Sequence, residues 1–375
     1  MNDKYVDLKM NGRLFPSWIL LNFKDYKLPP TLRVTDDDPC KRKTKLELRK
    51  YQKFISSFLD YRSPYKDILL YHGLGSGKTA TTINLMNILY NYTPTWNVFI
   101  LIKASLRSDW MDEINKWLST DEFKNRMSNI KFINYDSPFA DKNFLDNIKN
   151  SDSSKKSLYI FDEVHNFINN VYNNITSKQG KRAWTIYDYI QQEKRDNDET
   201  RIVLITGTPA INNPYEIALI FNLLRPGIFP ESEMRFNEIY VKSNKLDNTK
   251  KNMFQRRIMG LVSYYSAQDR QLFADKNFKI VELDMEPIHQ EVYEYYESIE
   301  AKLEKRKKSS SSKISSTYKS YTRQSSNFIF PSISRKINGE ARPRPSSFKM
   351  DEAQIQKILE GNDEDLDLKD KSFVE

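Results

Sequence analysis

The sequence predicts an α/β fold built on a doubly wound parallel sheet, and three observations support this prediction. Short apolar segments alternate with stretches of helical periodicity, which is the order typical of a parallel sheet covered by helices on both faces. One apolar segment runs directly into a glycine-rich turn, and another ends in two adjacent carboxylates. Ligands of such folds bind where the carboxyl ends of the strands meet, so we expect both features at one rim of the sheet.

The apolar segments are the predicted strands. They lie at residues 68–71, 98–102, 130–134, 157–161 and 202–206. The rule for parallel sheets then places four loop segments on one rim, at residues 72–79, 103–106, 162–165 and 206–209. Residues 230–275 have a helical and basic pattern. They resemble the protrusion inserted before the last strand of such a lobe, which is expected at Phe278–Leu283.

The length of 375 residues predicts two or three domains, and the apolar content is sufficient for hydrophobic cores. We expect an N-terminal extension at 1–45 and the α/β lobe at 46–285. The remainder, 286–375, is expected to hold a charged linker helix, a low-complexity stretch rich in serine and lysine that is mobile to about residue 347, and an acidic tail.

Charge and cysteine content restrict the class of protein. The net charge of +9 arises from 59 basic and 50 acidic residues, so it supports a polyanionic partner only weakly. Cys40 is the single cysteine, which excludes a disulfide framework, and with three histidines no zinc constellation is available. The most apolar N-terminal run, Leu14–Phe23, is short and broken by Pro16, so we expect no membrane segment and a cytoplasmic location.

The segment Leu69–Thr82 has the features of a phosphate-binding loop, because an apolar strand leads through three glycines into a helix. The residues expected to cradle phosphates are Gly73, Leu74, Gly75, Ser76 and Gly77. Lys78 is expected to reach the terminal phosphates, and Thr79 to bind Mg²⁺. A nucleoside triphosphate is the implied ligand. The strict pattern has glycine where this chain has His72, and the alternative is a glycine-rich turn with an incidental lysine.

A second chemical signal follows the predicted strand at Ser157–Phe161, where the sequence reads Asp162-Glu163-Val164-His165. We expect Asp162 to hold the Mg²⁺ shell and Glu163 to orient and deprotonate the attacking water. An acidic pair alone is often a solvated strand end, but its combination with the phosphate loop favours catalysis. His165 is interpreted as a relay from the nucleotide site to the rest of the lobe; the alternative is a packing or surface residue.

These motifs occur in the order found in superfamily 2 helicases and most closely resemble the Swi/Snf-like branch. The segments that carry the resemblance are Leu48–Gln52, the phosphate loop, Ile102–Leu106 with Trp110 and Glu113, the DEVH run, and Leu204–Asn213. The resemblance implies a RecA-like P-loop lobe, ATP and Mg²⁺ as cofactors, and an ATP hydrolase of the DExH type.

The resemblance also implies roles for residues away from the phosphate loop. Gln52 is implied to read the adenine edge, the alternative being a polar residue on an amphipathic helix. Lys103 and Ser105 lie in a segment that is implied to contact nucleic-acid phosphates, although Lys103 replaces the family's proline and Asp109 its glutamine. A further segment is implied to couple the ATP state to lobe closure; the alternative is a simple turn at the end of a strand. Its residues are Thr206, Gly207 and Thr208.

A narrower similarity begins after residue 250. The segments Arg257–Tyr265, Phe278–Met285 and Arg323–Pro331 resemble the helicase-type ATPases of large cytoplasmic DNA viruses, the group of the poxvirus-like early transcription factor small subunit and nucleoside triphosphatase I. This similarity implies a role in viral transcription, with RNA polymerase or transcription factor subunits as partners. It also implies that the cytoplasmic location is a virion or viral factory.

A motor of this superfamily needs a second lobe that contacts the same nucleic-acid strand and supplies arginines to the γ-phosphate. Residues 335–375 show no pattern for one, so we expect the second lobe in a longer protein or in another chain. The isolated chain is then expected to bind ATP and to hydrolyse it poorly. The implied function is an ATP-dependent DNA helicase or translocase. An RNA helicase and a non-enzymatic docking module of a transcription complex remain as alternatives.

Overall fold

The structure is a computed structural model that describes residues 9–10, 13–28, 47–177, 180–210, 212–243, 245–266, 277–308 and 320–329. The chain divides into two compact units, Met1–Asp275 and Lys276–Glu375. The first unit contains a six-stranded sheet, and the second contains a pair of helices. Within the described ranges, no helix is both long enough and apolar enough to cross a membrane.

The central sheet is parallel throughout, with the strand order β10-β3-β7-β6-β4-β5. In chain order the strands are β1 (Lys9–Met10), β2 (Arg13–Leu14), β3 (Ile68–His72), β4 (Trp96–Ile102), β5 (Ile130–Asn134), β6 (Lys156–Phe161), β7 (Arg201–Thr206), β8 (Val241–Lys242), β9 (Lys245–Leu246) and β10 (Val262–Tyr265). The pairs β1–β2 and β8–β9 are separate antiparallel ribbons. Each of the five strand predictions before residue 210 lies within one observed strand, so the predicted α/β fold with a parallel doubly wound sheet is confirmed.

Helices connect the strands and cover both faces of the sheet. They are α1 (Phe15–Asn22), α2 (Lys50–Phe58), α3 (Lys78–Tyr92), α4 (Arg107–Trp117), α5 (Thr120–Met127), α6 (Ala140–Lys149), α7 (Val164–Ser177), α8 (Arg182–Asp196), α9 (Tyr215–Leu224), α10 (Glu233–Tyr240), α11 (Lys251–Ile258), α12 (Pro287–Lys308) and α13 (Ser320–Asn327). The start of α5 shows how local sequence sets a boundary, because Ser119 and Glu122 cap each other's backbone N–H groups there.

Two hydrophobic clusters lie on opposite faces of the sheet. One is completed by α2, α3 and α4, and the other by α6, α7, α8 and α9. Strand β4 contributes to both, since Val98 and Ile100 belong to the first cluster and Phe99 to the second. Successive side chains of a strand point to opposite faces, so a strand buried on both faces reads as a continuous apolar run. The core therefore fixes the position of every loop at the carboxyl rim.

The last strand of the sheet is β10, and the strand predicted at Phe278–Leu283 is wrong. β10 pairs in parallel with β3, whereas residues 277–286 have no regular secondary structure and Phe278 is 88% exposed. The prediction rested on a resemblance of Phe278–Leu283, in which four of six residues are apolar, to the last strand of such lobes. The sequence of β10 is Val-Ser-Tyr-Tyr; its Ser263 hydroxyl bonds to His72, and its Tyr265 ring stacks on Tyr51.

The predicted protrusion at 230–275 contains α10, the β8–β9 ribbon and α11, but β10 within it belongs to the central sheet. In the predicted N-terminal extension, α1 packs Phe15 and Trp18 against the cluster beneath α2. Pro16 lies in the first turn of α1, where proline is tolerated because no backbone donor is needed there. The domain boundaries at 45 and 285 stay predictions.

The second unit contains α12 and α13. The Thr322 hydroxyl donates to Glu300, and the His289 ring contacts the Ser325 carbonyl at 2.5 Å. The predicted linker helix is present, but residues 320–327 form a helix inside the stretch that was predicted to be mobile. On α13 the buried side chains are the polar Thr322 and Ser325, so no hydrophobic period marks this helix in the sequence. The serine-rich residues 309–319 and the acidic tail lie outside the described residues.

Candidate nucleotide site

Four loops leave the carboxyl ends of adjacent strands and meet at one rim. They follow β3, β7, β6 and β4, which are neighbours in that order. The parallel registers put the phosphate loop beside the 206–209 segment, that segment beside the acidic pair, and the acidic pair beside Lys103. The predicted site segments therefore share one edge of the sheet, as the strand rule requires.

The phosphate loop joins β3 to α3 through a backbone that only glycine adopts easily. Gly75 has φ 72° and Gly77 has φ 70°, both in the left-handed region. A Cβ atom at Gly77 would lie 2.6 Å from Nε2 of Gln52, so a side chain there would force a rearrangement. α3 starts immediately afterwards, at Lys78, and its free N-terminal amides face the loop.

Lys78 folds back over this loop. Its ammonium donates to the carbonyl oxygens of His72, at 3.1 Å, and Gly73, at 3.2 Å. An ammonium beside the N-terminus of a helix is an arrangement suited to binding the terminal phosphates of a nucleotide. Leu74 is 87% exposed, so its contribution to a phosphate cradle is limited to its backbone.

Helix α2 holds the phosphate loop from the opposite side. The Tyr51 hydroxyl donates to the Ser76 carbonyl at 2.6 Å, and Nε2 of Gln52 donates to the Gly77 carbonyl at 3.1 Å. The other amide atom of Gln52, Oε1, accepts the Arg49 backbone N–H at 2.7 Å. Gln52 is thus a structural clamp on the loop, and its implied contact with adenine stays a prediction.

A polar cluster beneath the loop was missed by the sequence reasoning. Nε2 of His72 lies 2.9 Å from the Ser263 hydroxyl, and the Gly73 N–H donates to the Tyr265 carbonyl at 2.8 Å. The Tyr265 ring stacks on Tyr51, with centroids 3.9 Å apart. Burial and, secondarily, the nearby Lys78 ammonium lower the pKa of His72 to about 4, so its imidazole is neutral. His72, at the position where the strict pattern has glycine, ties the loop to β10.

The acidic pair lies two strands from the loop. Oδ2 of Asp162 accepts the Trp110 indole N–H at 2.7 Å, and Oδ1 accepts the Glu163 N–H at 3.0 Å. Burial raises the pKa of Asp162, while the Trp110 hydrogen bond opposes that change. Glu163 has φ 49°, a left-handed conformation that is strained for a residue with a Cβ atom. This turn separates the two carboxylates, leaving Asp162 buried and Glu163 half-buried.

His165 connects Glu163 to the next loop of the rim. Its Nδ1 atom lies 3.1 Å from Oε2 of Glu163 and 2.8 Å from the Thr206 hydroxyl. The hydrogen bond from His165 is the main cause that lowers the pKa of Glu163. The Thr206 hydroxyl also accepts the Thr208 N–H at 3.0 Å. Polar contacts of one His165 nitrogen therefore connect Glu163 to residues 206–208, the segment predicted to couple the ATP state to lobe closure.

The remaining predicted residues also lie at this rim. Thr79 is half-buried in the first turn of α3, and Gly207 lies close to the His72 carbonyl, 3.6 Å from where its Cβ would stand. Lys103 is half-buried, and its charge contributes to lowering the pKa of Glu163. Ser105 is exposed in the short helical turn Ala104–Leu106.

The chemistry of these donors fits Mg²⁺. The Asp162 carboxylate and the Thr79 hydroxyl are hard oxygen ligands, and Mg²⁺ is usually held by one or two such groups together with phosphates and water. No group of three or more His, Cys, Asp or Glu side chains in the described ranges could hold a metal by itself. The donor set therefore suits an ion that arrives with a nucleotide.

The fold and the site together define a RecA-like P-loop lobe. Two family models match the chain: the type III restriction enzyme res subunit over residues 45–211 and the SNF2-related domain over residues 190–338. These matches confirm the predicted resemblance to the Swi/Snf-like branch of the superfamily 2 helicases and ATPases.

Relatives occur in large DNA viruses. A protein of Acanthamoeba polyphaga mimivirus, named as an ATP-dependent RNA helicase, is 50% identical over 100% of this chain and 47% of its own length. Nucleoside triphosphatase I of Choristoneura biennis entomopoxvirus is 30% identical over 63% of this chain and 35% of its own length. The predicted similarity to viral ATPases is confirmed, and the chain spans less than half of each of these relatives.

Among solved structures, the Sulfolobus solfataricus SWI2/SNF2 ATPase core in complex with dsDNA is similar, with a TM-score of 0.42 and 19% identity. The similarity covers 72% of this chain and 55% of that one.

Proposed function

We propose that the protein is an ATP-dependent DNA translocase or helicase that acts in viral transcription. The observation that supports this proposal is the path of polar contacts Glu163–His165–Thr206, which starts at the proposed catalytic carboxylate and ends in the adjacent rim loop. A nucleotidase that only hydrolyses ATP needs a base and a phosphate cradle. A motor also needs the nucleotide state to reach the surface that moves, and this path supplies that connection.

In the proposed reaction, Lys78 and the loop amides bind the β- and γ-phosphates of ATP. Thr79 and Asp162 hold Mg²⁺, which neutralises charge on the phosphates when it is bound. Glu163 orients the attacking water and accepts its proton. Its lowered pKa keeps it ionised near neutral pH, which is the form that a base requires.

His165 then has two roles. The Nδ1 atom faces a carboxylate, which accepts hydrogen bonds only, so Nδ1 carries the proton and the ring holds Glu163 in place. The same Nδ1–H group lies at the Thr206 hydroxyl, so a movement of Glu163 on loss of the γ-phosphate is passed to residues 206–208. These residues precede α9 and the protrusion, and we propose that they couple hydrolysis to movement.

DNA is the proposed polymer because it is the polymer implied by membership of the Swi/Snf-like branch. Lys103 and Ser105 are the proposed phosphate contacts, since both lie on the rim at the end of β4. A second candidate is an RNA helicase, which is favoured by the name of the mimivirus relative. The proposed partners are a second helicase lobe, in the longer protein or in another chain, and subunits of a transcription complex.

The experiment that tests the proposal measures ATP hydrolysis with duplex DNA, with duplex RNA and without polymer, at equal concentrations of nucleic-acid phosphate. Nucleotide binding is measured in parallel, because slow turnover is expected from a single lobe. Stimulation by DNA is the expected result, and stimulation by RNA alone would establish the second candidate. Nucleotide binding without hydrolysis under any of these conditions, even when a second helicase lobe is supplied, would indicate a docking module instead.

A further inference from the structure

Trp110 joins two parts of the site that lie in different segments of the chain. It lies in α4, and its side chain is 1% exposed. Its indole N–H donates to Oδ2 of Asp162 at 2.7 Å. α4 follows directly on the short turn Ala104–Leu106, which with Lys103 forms the proposed nucleic-acid segment. One side chain therefore connects the helix behind that segment to the proposed ligand of Mg²⁺.

The orientation of Asp162 depends on this contact. Of the side chains that the structure describes, only that of Trp110 donates to the carboxylate, and the second donor is the backbone N–H of Glu163. The two donors occupy different oxygens, so together they fix the plane of the group. Groups that hydrogen-bond a metal ligand in this way orient it and affect how tightly the metal is bound.

The Trp110 side chain anchors α4 in the hydrophobic core. Trp110 and Ile114 are both buried in the same hydrophobic cluster, one turn apart on the inner face of the helix. A displacement of the nucleic-acid segment at the start of α4 therefore displaces the indole, because close-packed interiors transmit such movements. The indole in turn donates its single N–H to Asp162, so the displacement reaches the carboxylate.

We propose that Trp110 is a positioning residue that holds Asp162 for Mg²⁺ and transmits nucleic-acid binding from α4 to the metal site. The inference rests on the proposed function, because it requires a nucleotide-bound metal and a polymer at residues 103–105. Binding of nucleic acid would then change the affinity for Mg–nucleotide, and by linkage Mg–nucleotide would change the affinity for nucleic acid by the same factor.

The chain offers a matched control on the same helix. The indole N–H of Trp117 donates to Oε2 of Glu113 at 2.8 Å, away from the rim. Trp110→Phe and Trp117→Phe each remove one indole donor and one carboxylate hydrogen bond from α4. Only the first change affects Asp162, so the difference between the two variants isolates the proposed role from a general weakening of the helix.

The first test titrates Mg²⁺ against binding of a fluorescent ADP analogue, followed by anisotropy, in the 375-residue chain. Trp110→Phe is expected to raise the half-saturating Mg²⁺ concentration about tenfold, the effect typical of losing a group that orients a metal ligand. Binding of the analogue in EDTA should be unchanged, which shows that the phosphate loop is intact. Trp117→Phe should match the unmodified chain. Equal Mg²⁺ requirements in the two tryptophan variants would overturn the proposal.

A double variant establishes whether Trp110 acts through Asp162. Asp162→Asn should remove most of the Mg²⁺ response, and adding Trp110→Phe to it should then change nothing further. A further loss in the double variant would show that Trp110 acts elsewhere, for example by general packing, and would overturn the proposal.

The second test measures affinity for the Mg²⁺–ADP analogue with and without a duplex DNA oligonucleotide. The ratio of the two affinities should differ from one in the unmodified chain and in Trp117→Phe, and should approach one in Trp110→Phe. If the two affinities still differ in Trp110→Phe as they do in the unmodified chain, the proposal that Trp110 transmits nucleic-acid binding from α4 would be overturned. A ratio of one in the unmodified chain would contradict the proposed nucleic-acid function, whereas the Mg²⁺ titration would still report on Trp110.

Discussion

The phosphate loop is held largely through its own backbone, whereas the acidic pair is held by side chains from other elements. Tyr51, Gln52 and Tyr265 all bond to the main chain of the loop. The carboxylates of Asp162 and Glu163 instead depend on the side chains of Trp110 and His165. Nucleotide binding should therefore tolerate changes near the acidic pair, while catalysis should be sensitive to single side chains there.

The largest effect is expected at the acidic pair. Glu163→Gln keeps the size of the side chain and loses the base, so ATP hydrolysis should fall about 1,000-fold, within the range of general-base contributions. Nucleotide affinity should be unchanged, as measured by equilibrium binding. The control is Glu113→Gln, which alters a carboxylate of α4 that pairs with Lys116 outside the site. A large loss of nucleotide binding in Glu163→Gln would contradict the expected separation between the phosphate loop, which binds nucleotide, and the acidic pair, which acts in catalysis.

The corresponding change at the loop is Lys78→Ala. Removing a charged donor to phosphate should weaken Mg–ATP binding about 30-fold, which corresponds to about 2 kcal/mol for a hydrogen bond with a charged group. The thermal unfolding temperature should change little, because the hydrogen bonds of the Lys78 ammonium within the described residues go to loop carbonyls. Lys116→Ala is the control, and unaltered binding in Lys78→Ala would contradict the assignment of the loop.

The buried His72 predicts a pH dependence of stability. Its pKa is about 4 in the folded chain, whereas the ordinary value of 6.5 applies once the chain unfolds, so the unfolded chain binds more protons between these values. Stability should therefore fall with decreasing pH through this window, by about 2 kcal/mol between pH 7.5 and pH 5. The groups that face the ring are Lys78, Tyr51 and Tyr265.

Denaturant unfolding at the two pH values measures this effect. In His72→Gln the proton-linked loss should disappear, while the hydrogen bond to Ser263 can be kept by the amide. An identical loss of stability in His72→Gln would show that another group titrates in this range.

Glycine substitutions sharpen the claim that the loop is held through its backbone. Gly77 and Gly227 both have positive φ, at 70° and 76°, but a Cβ atom meets Gln52 at Gly77 and nothing within 4 Å at Gly227. Both alanine variants should lose stability from the left-handed conformation, and Gly77→Ala should lose about 1 kcal/mol more, because Gln52 must give up hydrogen bonds. Only Gly77→Ala should weaken nucleotide binding. Equal losses of stability and equal nucleotide binding in the two variants would contradict the structural role of Gln52.

The smallest effect is expected at Lys103. Lys103→Glu should weaken duplex DNA binding several-fold at low salt and reduce the slope of log affinity against log salt by about 1 or more, since at least one phosphate contact is lost. Nucleotide affinity should change little. Lys124→Glu, in α5, makes the same change of charge far from the carboxyl rim. Equal DNA affinities of the two variants would exclude Lys103 as a contact.

Parts of the site that depend on residues adjacent along the chain could be predicted from the sequence. The phosphate loop needs a strand, glycines and a helix start, and all three are adjacent along the chain. The contacts of Trp110 with Asp162 and of His72 with Ser263 join residues 52 and 191 positions apart, and no periodicity encodes such pairs. Trp110 was recognised as part of a motif, but its partner became clear only once β4 and β6 were seen as neighbours.

The same reason explains the error at the last strand. The apolar segment Phe278–Leu283 resembles a last strand more than the four residues of β10 do, because Ser263 and Tyr265 of β10 make contacts with the loop region. Likewise, no apolar period marked α13, because Thr322 and Ser325 bury small polar side chains there. Polar residues that are buried by contacts with residues far along the chain cannot be told from surface residues in the sequence.

The place of β3 in the sheet has a consequence for biosynthesis. β3 is the first strand of the central sheet to leave the ribosome, but its two neighbours, β7 and β10, are among the last to be made. The hydrogen bond between His72 and Ser263, 191 residues later, can form only after β10 has been translated, and until then β3 has no neighbour on that side. Pairing between such distant segments is slow and leaves strand edges open in the nascent chain. The part of the lobe that holds the proposed nucleotide site is therefore completed last, so a nascent chain cannot finish this site until the whole sheet has been translated.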